Sequence, residues 1–295
     1  TGLVFKILIP LKTIHTLGFQ TISKADIIIL SGVLLSNLIS FLYIFPLVFL
    51  YEKEVRFRAF ASLFTIVNIY NTVISGIPSL SGLYDPVQVS KLAFLQSLCG
   101  NIILTPTCYL LFEFACYKGP RLSFCNVLLK SLKRVLLQPL VLGSVVGLFI
   151  NIVNLWLNVK LPAFVNITFD LIAMMVGPLS LLALGMFFHN AFFVQKRTST
   201  QKMWKQLVVL GFVFVARHLI MPSCCAIFCK LVGVRARETM EISLGLLAQP
   251  TAVLSFVMCN EYGFGDVVAG IHAVFGVFGA MLVLPLIQVV CAMFE

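Results

Sequence analysis

Eight stretches of this chain, residues 27–50, 59–84, 92–117, 135–157, 164–193, 207–231, 239–260 and 267–294, are apolar for long enough to cross a bilayer. The hydrocarbon core is about 30 Å thick, and a helix needs about 20 residues to span it. No water reaches that depth, so each run must satisfy its own backbone N–H and C=O groups, and a single apolar run of this length does so as a helix. Composition agrees: 60% of the residues are hydrophobic and 11% charged, against about 25% charged in an ordinary soluble domain. The chain reads as an all-α polytopic membrane protein with one membrane domain. Before the first full span, residues 3–10 are too short to cross. They read as the tail of a truncated helix, followed by a polar link from Lys12 to Lys24.

Two of the eight runs are unlike the others. Residues 64–82 sit where a transmembrane helix should run, yet they carry Asn68, Asn71, Thr72, Ser75, Gly76 and Pro78. Far down the chain, Gln249-Pro250-Thr251 interrupts residues 239–260 in the same way. A breakable, polar segment at membrane depth has to be buried in protein or line a wet cavity. Two interrupted hydrophobic segments at corresponding places in two halves point to the binding site of a secondary transporter. The plainer reading is a pair of Pro-kinked helices whose Asn and Ser bind their neighbours. The halves echo each other, since a span with a Pro near its end (Pro46, Pro222) precedes each broken span and a further helix follows it. The chain divides into a truncated N-terminal unit (1–117), a basic loop (118–134) and a C-terminal unit (135–295), and counting five helices per repeat inverts the second unit relative to the first.

The net charge is +10, from 21 Lys and Arg against 11 Asp and Glu. These cations cluster in short loops between apolar runs, which speaks for lipid topology rather than nucleic-acid binding. The loops at 51–58, 118–134 and 195–205 fall on one face, which the positive-inside rule makes cytosolic. Nine cysteines form no CxxC pair and have no His at ligand spacing, so no metal site is expected, and neither a phosphate loop nor a nucleophile motif is present. An enzyme and a cofactor are therefore not expected. Nor does spacing pair His189, His218 or His272 for catalysis. Arg217 is the one cation clearly inside a span, where placement costs about 2.5–3.5 kcal/mol on insertion scales, so it must find a partner. It is a candidate to hold an anionic substrate or to pair with a carboxylate such as Asp170 or Glu241. Gly143 and Gly147 form a GxxxG pattern that suits either a homodimer face or packing within the chain.

Asn71 is the first candidate for a ligand contact. A side-chain amide beside an unwound turn donates to a carboxylate, and the half-helix N-terminus adds positive potential. Gln249 and Thr251 take the mirrored role, and Pro250, lacking an N–H, is expected to leave the Leu246 carbonyl without its usual partner.

These residues carry a resemblance. Asn71-Thr-Val-Ile-Ser-Gly76-Ile-Pro78 resembles the Asn-Thr-Leu-x-x-Gly-Ile-Pro signature of the auxin efflux carrier family, which includes the plant PIN-type carriers. The stretch from Leu247-Ala-Gln249-Pro250 through Asn260-Glu-Tyr262 to Leu284-Pro285 is similar to the family's ninth and tenth helices. Gln138-Pro139, Pro178, Gly185, and Arg217 with Pro222 fall between them in the expected order. The resemblance implies ten helices in two inverted repeats with crossed, broken fourth and ninth helices. On that numbering this chain lacks the first helix and part of the second. It also implies elevator-like alternating access and an organic anion held beside the crossovers. The site residues would be Tyr70, Asn71, Thr72, Gln138, Gln249, Pro250 and Thr251. Tyr70 stands where the family has Pro, Pro250 follows Gln249 instead of preceding it, and Gln138 stands where plant carriers have Asn.

The expected function is a secondary transporter of a small organic carboxylate, with membrane lipids around it and a plasma-membrane or endomembrane location both open. The alternative is a lipid- or sterol-sensing membrane domain that signals to partners. A third is a membrane scaffold.

Overall fold

The computed structural model describes residues 7–116, 139–157, 162–189, 203–234 and 236–292, with 129, 133, 136 and 137. Gln138 and most of the basic stretch 118–134 lie outside the described residues. Those described are almost wholly helical and contain no strand, the sole extended pairing being a bridge between Tyr70 and Thr251. In chain order the helices are α1 (Ile9–Phe19), α2 (Lys24–Ile44), α3 (Arg56–Asn68), α4 (Ile77–Leu80), α5 (Pro86–Cys99), α6 (Thr105–Cys116) and α7 (Pro139–Leu157). They continue with α8 (Ala163–His189), α9 (Met203–Val215), α10 (Met221–Leu231), α11 (Arg237–Leu247), α12 (Val253–Glu261) and α13 (Asp266–Ala292). Wider π-turns at Thr72–Gly76, Gly100–Leu104 and Ala216–Ile220 join α4, α5 to α6, and α9 to α10 into longer rods. Four continuous helical stretches, Lys24–Leu50, Pro86–Cys116, Trp204–Leu231 and Asp266–Ala292, are long and apolar enough to cross a membrane. The broken spans are not among them because each half is too short on its own. This is an integral, multi-pass membrane protein.

The polar link expected from Lys12 to Lys24 is instead mostly helix α1, and only residues 20–23 are non-helical. Two things overrule the polarity of Lys12 and Thr13. The Thr13 hydroxyl donates to the Ile9 carbonyl of its own helix (2.7 Å), and Ile9 and Leu17 are buried. Helix α1 lies along α7, whose Gly143 and Gly147 meet it. A Cβ on Gly143 would stand 2.9 Å from the Pro10 carbonyl oxygen, and one on Gly147 3.2 Å from the Ile14 Cα. The GxxxG pattern thus serves a close approach within the chain.

Helix α2 begins with a capping box. The Ser23 hydroxyl accepts the Asp26 N–H (3.1 Å) and Asp26 Oδ2 accepts the Ser23 N–H (2.8 Å), satisfying donors that the first turn would otherwise orphan. Lys91 of α5 reaches the same carboxylate at 2.9 Å, and both side chains are buried, so the pair ties the start of α2 to α5. Along α2, Ser36, Asn37 and Ser40 form a polar stripe turned inward, with Ser36 and Asn37 bonded to the Val33 carbonyl and Ser40 to the Asn37 carbonyl. Ser40 accepts from Asn68 at the end of α3 (2.7 Å), which begins the polar seam at the breaks.

Candidate functional site

The two breaks meet. The extended residues after α3 and after α11 run antiparallel, with the Asn71 N–H donating to the Pro250 carbonyl (3.0 Å) and the Ala252 N–H to the Ile69 carbonyl (2.9 Å). Each broken backbone therefore supplies partners for the other, as membrane depth requires. Carbonyls freed at the end of α3 are collected one by one. The Thr251 hydroxyl donates to Ile66 (2.8 Å), Arg217 Nη1 donates to Val67 (2.8 Å), and the Ser255 hydroxyl lies 3.0 Å from that of Ile69. At the end of α11, Gln249 Nε2 donates to the Gly245 carbonyl (3.1 Å) and Arg217 Nε to the Gln249 carbonyl (3.1 Å). The Leu246 carbonyl, expected to lack a partner, accepts the Gln249 N–H at 3.2 Å, because the chain tightens into a turn before Pro250. Gly76 lets the two breaks approach, since a Cβ there would stand 2.7 Å from Leu246 Cδ2.

Helical backbone restarts at the first break under an Asn cap. Asn71 Oδ1 accepts the Ile74 N–H (3.1 Å), while its carbonyl accepts the Gly76 N–H and the Ser75 hydroxyl. With the oxygen committed, the group Asn71 has left to offer a ligand is its amide Nδ2. Residues 71–74 and 252–254 line one side of a cavity of about 360 Å³. Both restarting half-helices, 72–80 and α12, thus begin at this cavity, where unpaired N–H groups and the positive end of the helix dipole favour an anion. The rest of the wall is mostly apolar, with Ile9, Ile69, Pro139 and Val257, plus the polar Ser97 and Asn101. Among the described residues, no Asp, Glu, Lys or Arg lines it. A smaller recess of about 30 Å³ adjoins it, bounded by Asn68, Gln96, Asn101 and Thr105, and Asn68 Oδ1 and Gln96 Oε1 have no hydrogen-bond partner among the described residues.

Of the candidates from the sequence, Tyr70, Asn71 and Thr72 line the cavity. Gln249, Pro250 and Thr251 do not, and the Gln249 and Thr251 side chains are buried on structural partners. Thr251 presents its N–H to His272 Nδ1 (3.2 Å), with its Oγ1 2.7 Å from the same nitrogen. Gln138 is outside the described residues, although its neighbour Pro139 is in the wall. Arg217 does not pair with Glu241, the one suggested carboxylate whose side chain is described. Glu241 is taken by Arg237 (2.7 Å) and the Tyr84 hydroxyl (3.1 Å), and the Asp170 side chain is outside the described set. Ser97 and Asn101 had no assigned role, though their spacing of four in an apolar run already put two polar groups on one helix face. Ile9 and Pro139 carry no such signal, because only packing of α1 and α7 brings them here.

A family model described as "Membrane transport protein" matches residues 1–288 of the chain. The chain belongs to this family, that of the auxin efflux carriers. Comparison with individual curated proteins finds no match. Members of the membrane transport family are transporters and not enzymes, and this chain is accordingly a membrane transporter of the auxin efflux carrier type. Among the described residues no cluster of His, Cys, Asp and Glu suits a metal ion.

Proposed function

We propose that this transporter carries a small organic carboxylate through the cavity beside the crossed breaks. The carboxylate sits at Asn71 Nδ2 and the N–H groups of Val73, Val253 and Leu254 at the two half-helix starts, the Thr72 and Ile74 N–H groups being held by the Tyr70 carbonyl and Asn71 Oδ1. The apolar body packs against Ile69, Val73, Val253 and Val257. The observation that carries this reading is the convergence of two half-helix starts and one oriented amide on a cavity with apolar walls. A volume of about 360 Å³ falls within the usual range for small-molecule sites, about 300–1,000 Å³. Transport then follows elevator-like alternating access, in which the helices bearing the breaks carry the site past the α1–α7 pair. Two interrupted helices pairing antiparallel support an inverted-repeat plan.

The test is flux of labelled small carboxylates into liposomes holding the purified full-length protein, with Asn71→Ala in parallel. Saturable flux that disappears in the variant, with insertion and yield unchanged, is expected. Wild-type flux in Asn71→Ala would remove Asn71 from the site. Sterol binding without any carboxylate flux would assign the lipid-sensing role instead.

A further inference from the structure

Arg217 raises a question that carboxylate recognition leaves unanswered. It is fully buried on the π-turn Ala216–Ile220, and no carboxylate pairs with it among the described residues. Its partners are two backbone carbonyls, Val67 at 2.8 Å and Gln249 at 3.1 Å, the Met221 sulfur at 3.1 Å, and the face of Tyr70, whose ring centroid lies 4.0 Å from the guanidinium carbon. Both carbonyls stand at the negative, carboxyl ends of interrupted half-helices, α3 and α11. Each is free for a distinct reason. The N–H that would normally bond Val67, that of Asn71, is turned across to Pro250. The Gln249 carbonyl stands beyond the end of α11, in the unwound segment. Unwound carbonyls and half-helix carboxyl ends are what broken-helix transporters use to coordinate a coupling cation.

We propose that Arg217 is a resident cation of the crossover, its guanidinium filling the place where the two half-helix carboxyl ends would otherwise hold a mobile cation. No acid among the described residues cancels its charge, so it acts on the far side of Tyr70, the residue that separates it from the cavity. Resting on the carboxylate reading, this makes Arg217 a positioning residue that biases the cavity toward anions without touching the ligand. The cavity wall itself could not do this, because none of its described lining residues carries a charge.

The experiment uses the full chain, purified, with Arg217→Gly, Arg217→Gln and Arg217→Lys. Thermal stability is first titrated with millimolar methylguanidinium. Arg217→Gly is expected to melt lower than wild type and to be raised by methylguanidinium, while wild type and Arg217→Lys do not respond. No response in Arg217→Gly, or an equal response in wild type, would overturn the proposal. Binding of phenylacetate is then compared with that of its neutral amide, phenylacetamide. The preference for the acid is expected to fall about tenfold in Arg217→Gln and to be kept in Arg217→Lys, the size expected of a unit charge acting across about 10 Å at an effective dielectric of about 20. A purely structural arginine would weaken both probes equally, and that result would overturn the anion-biasing role. Methylguanidinium rescue with no phenylacetate binding by wild type would keep the resident cation and sink the carboxylate reading instead.

Discussion

The two breaks look like equivalents in the sequence, each an amide with a Thr within two residues and a Pro further along or between, but they do different work. The first turns Tyr70, Asn71 and Thr72 toward the cavity. The second turns Gln249 and Thr251 away from it, into contacts with Gly245, Ile66 and His272, and meets the cavity only where α12 restarts. The difference comes from what each break must satisfy. Asn71 caps its own restarting helix, which fixes its oxygen and leaves its amide free. Gln249 repairs the end of the helix it leaves, which consumes its amide. One break recognises and the other locks.

Four substitutions would break or sharpen that contrast. The largest effect is expected from Asn71→Asp, which keeps an oxygen to cap Ile74 but replaces the amide with a charge that repels an anion. Carboxylate flux in liposomes should fall about 100-fold or more, from a lost charge-assisted hydrogen bond plus repulsion, with melting unchanged. Near-wild-type flux would end the claim that the first break recognises. Thr251→Val comes next. It strands the Ile66 carbonyl and should destabilise the protein by about 1–3 kcal/mol. Reaction of the buried free cysteines with a thiol dye on heating gives the readout, and flux per folded molecule should stay near wild type. Gln249→Ala is expected to cost about 0.6 kcal/mol and at most about 1.7, the scale of hydrogen bonds within membranes, with substrate KM unchanged. A collapse of flux like that of Asn71→Asp would show that the breaks are equivalent after all. The smallest change is expected from Ser97→Ala, a wall hydroxyl on α5 and on neither half-helix start, which should raise KM by about twofold with kcat unchanged.

Much of this was legible in the residues. Apolar runs of about 20 residues force helices at membrane depth, and Asn, Gly and Pro inside two of them force interruptions. Asn71 could be singled out because an amide next to an unwound turn has few uses other than capping and binding. The helix Ile9–Phe19 was not legible, since Lys12, Thr13 and Thr16 disguise its apolar face until α7 supplies the glycines that receive it. His218 and His272 were equally hidden. They lie 54 positions apart, yet their ring centroids stand 5.4 Å apart beside Thr251.

By itself, then, the sequence determined the membrane environment, the helical class and the positions at which two helices must fail, because these follow from local backbone chemistry in a solvent without hydrogen bonds. Only the tertiary structure decided which polar groups remain available. Whether the Thr251 hydroxyl or the Arg217 guanidinium is free depends on where the carbonyls freed at the first break come to lie. Those carbonyls are brought together by residues more than a hundred positions apart, and no local pattern records that meeting.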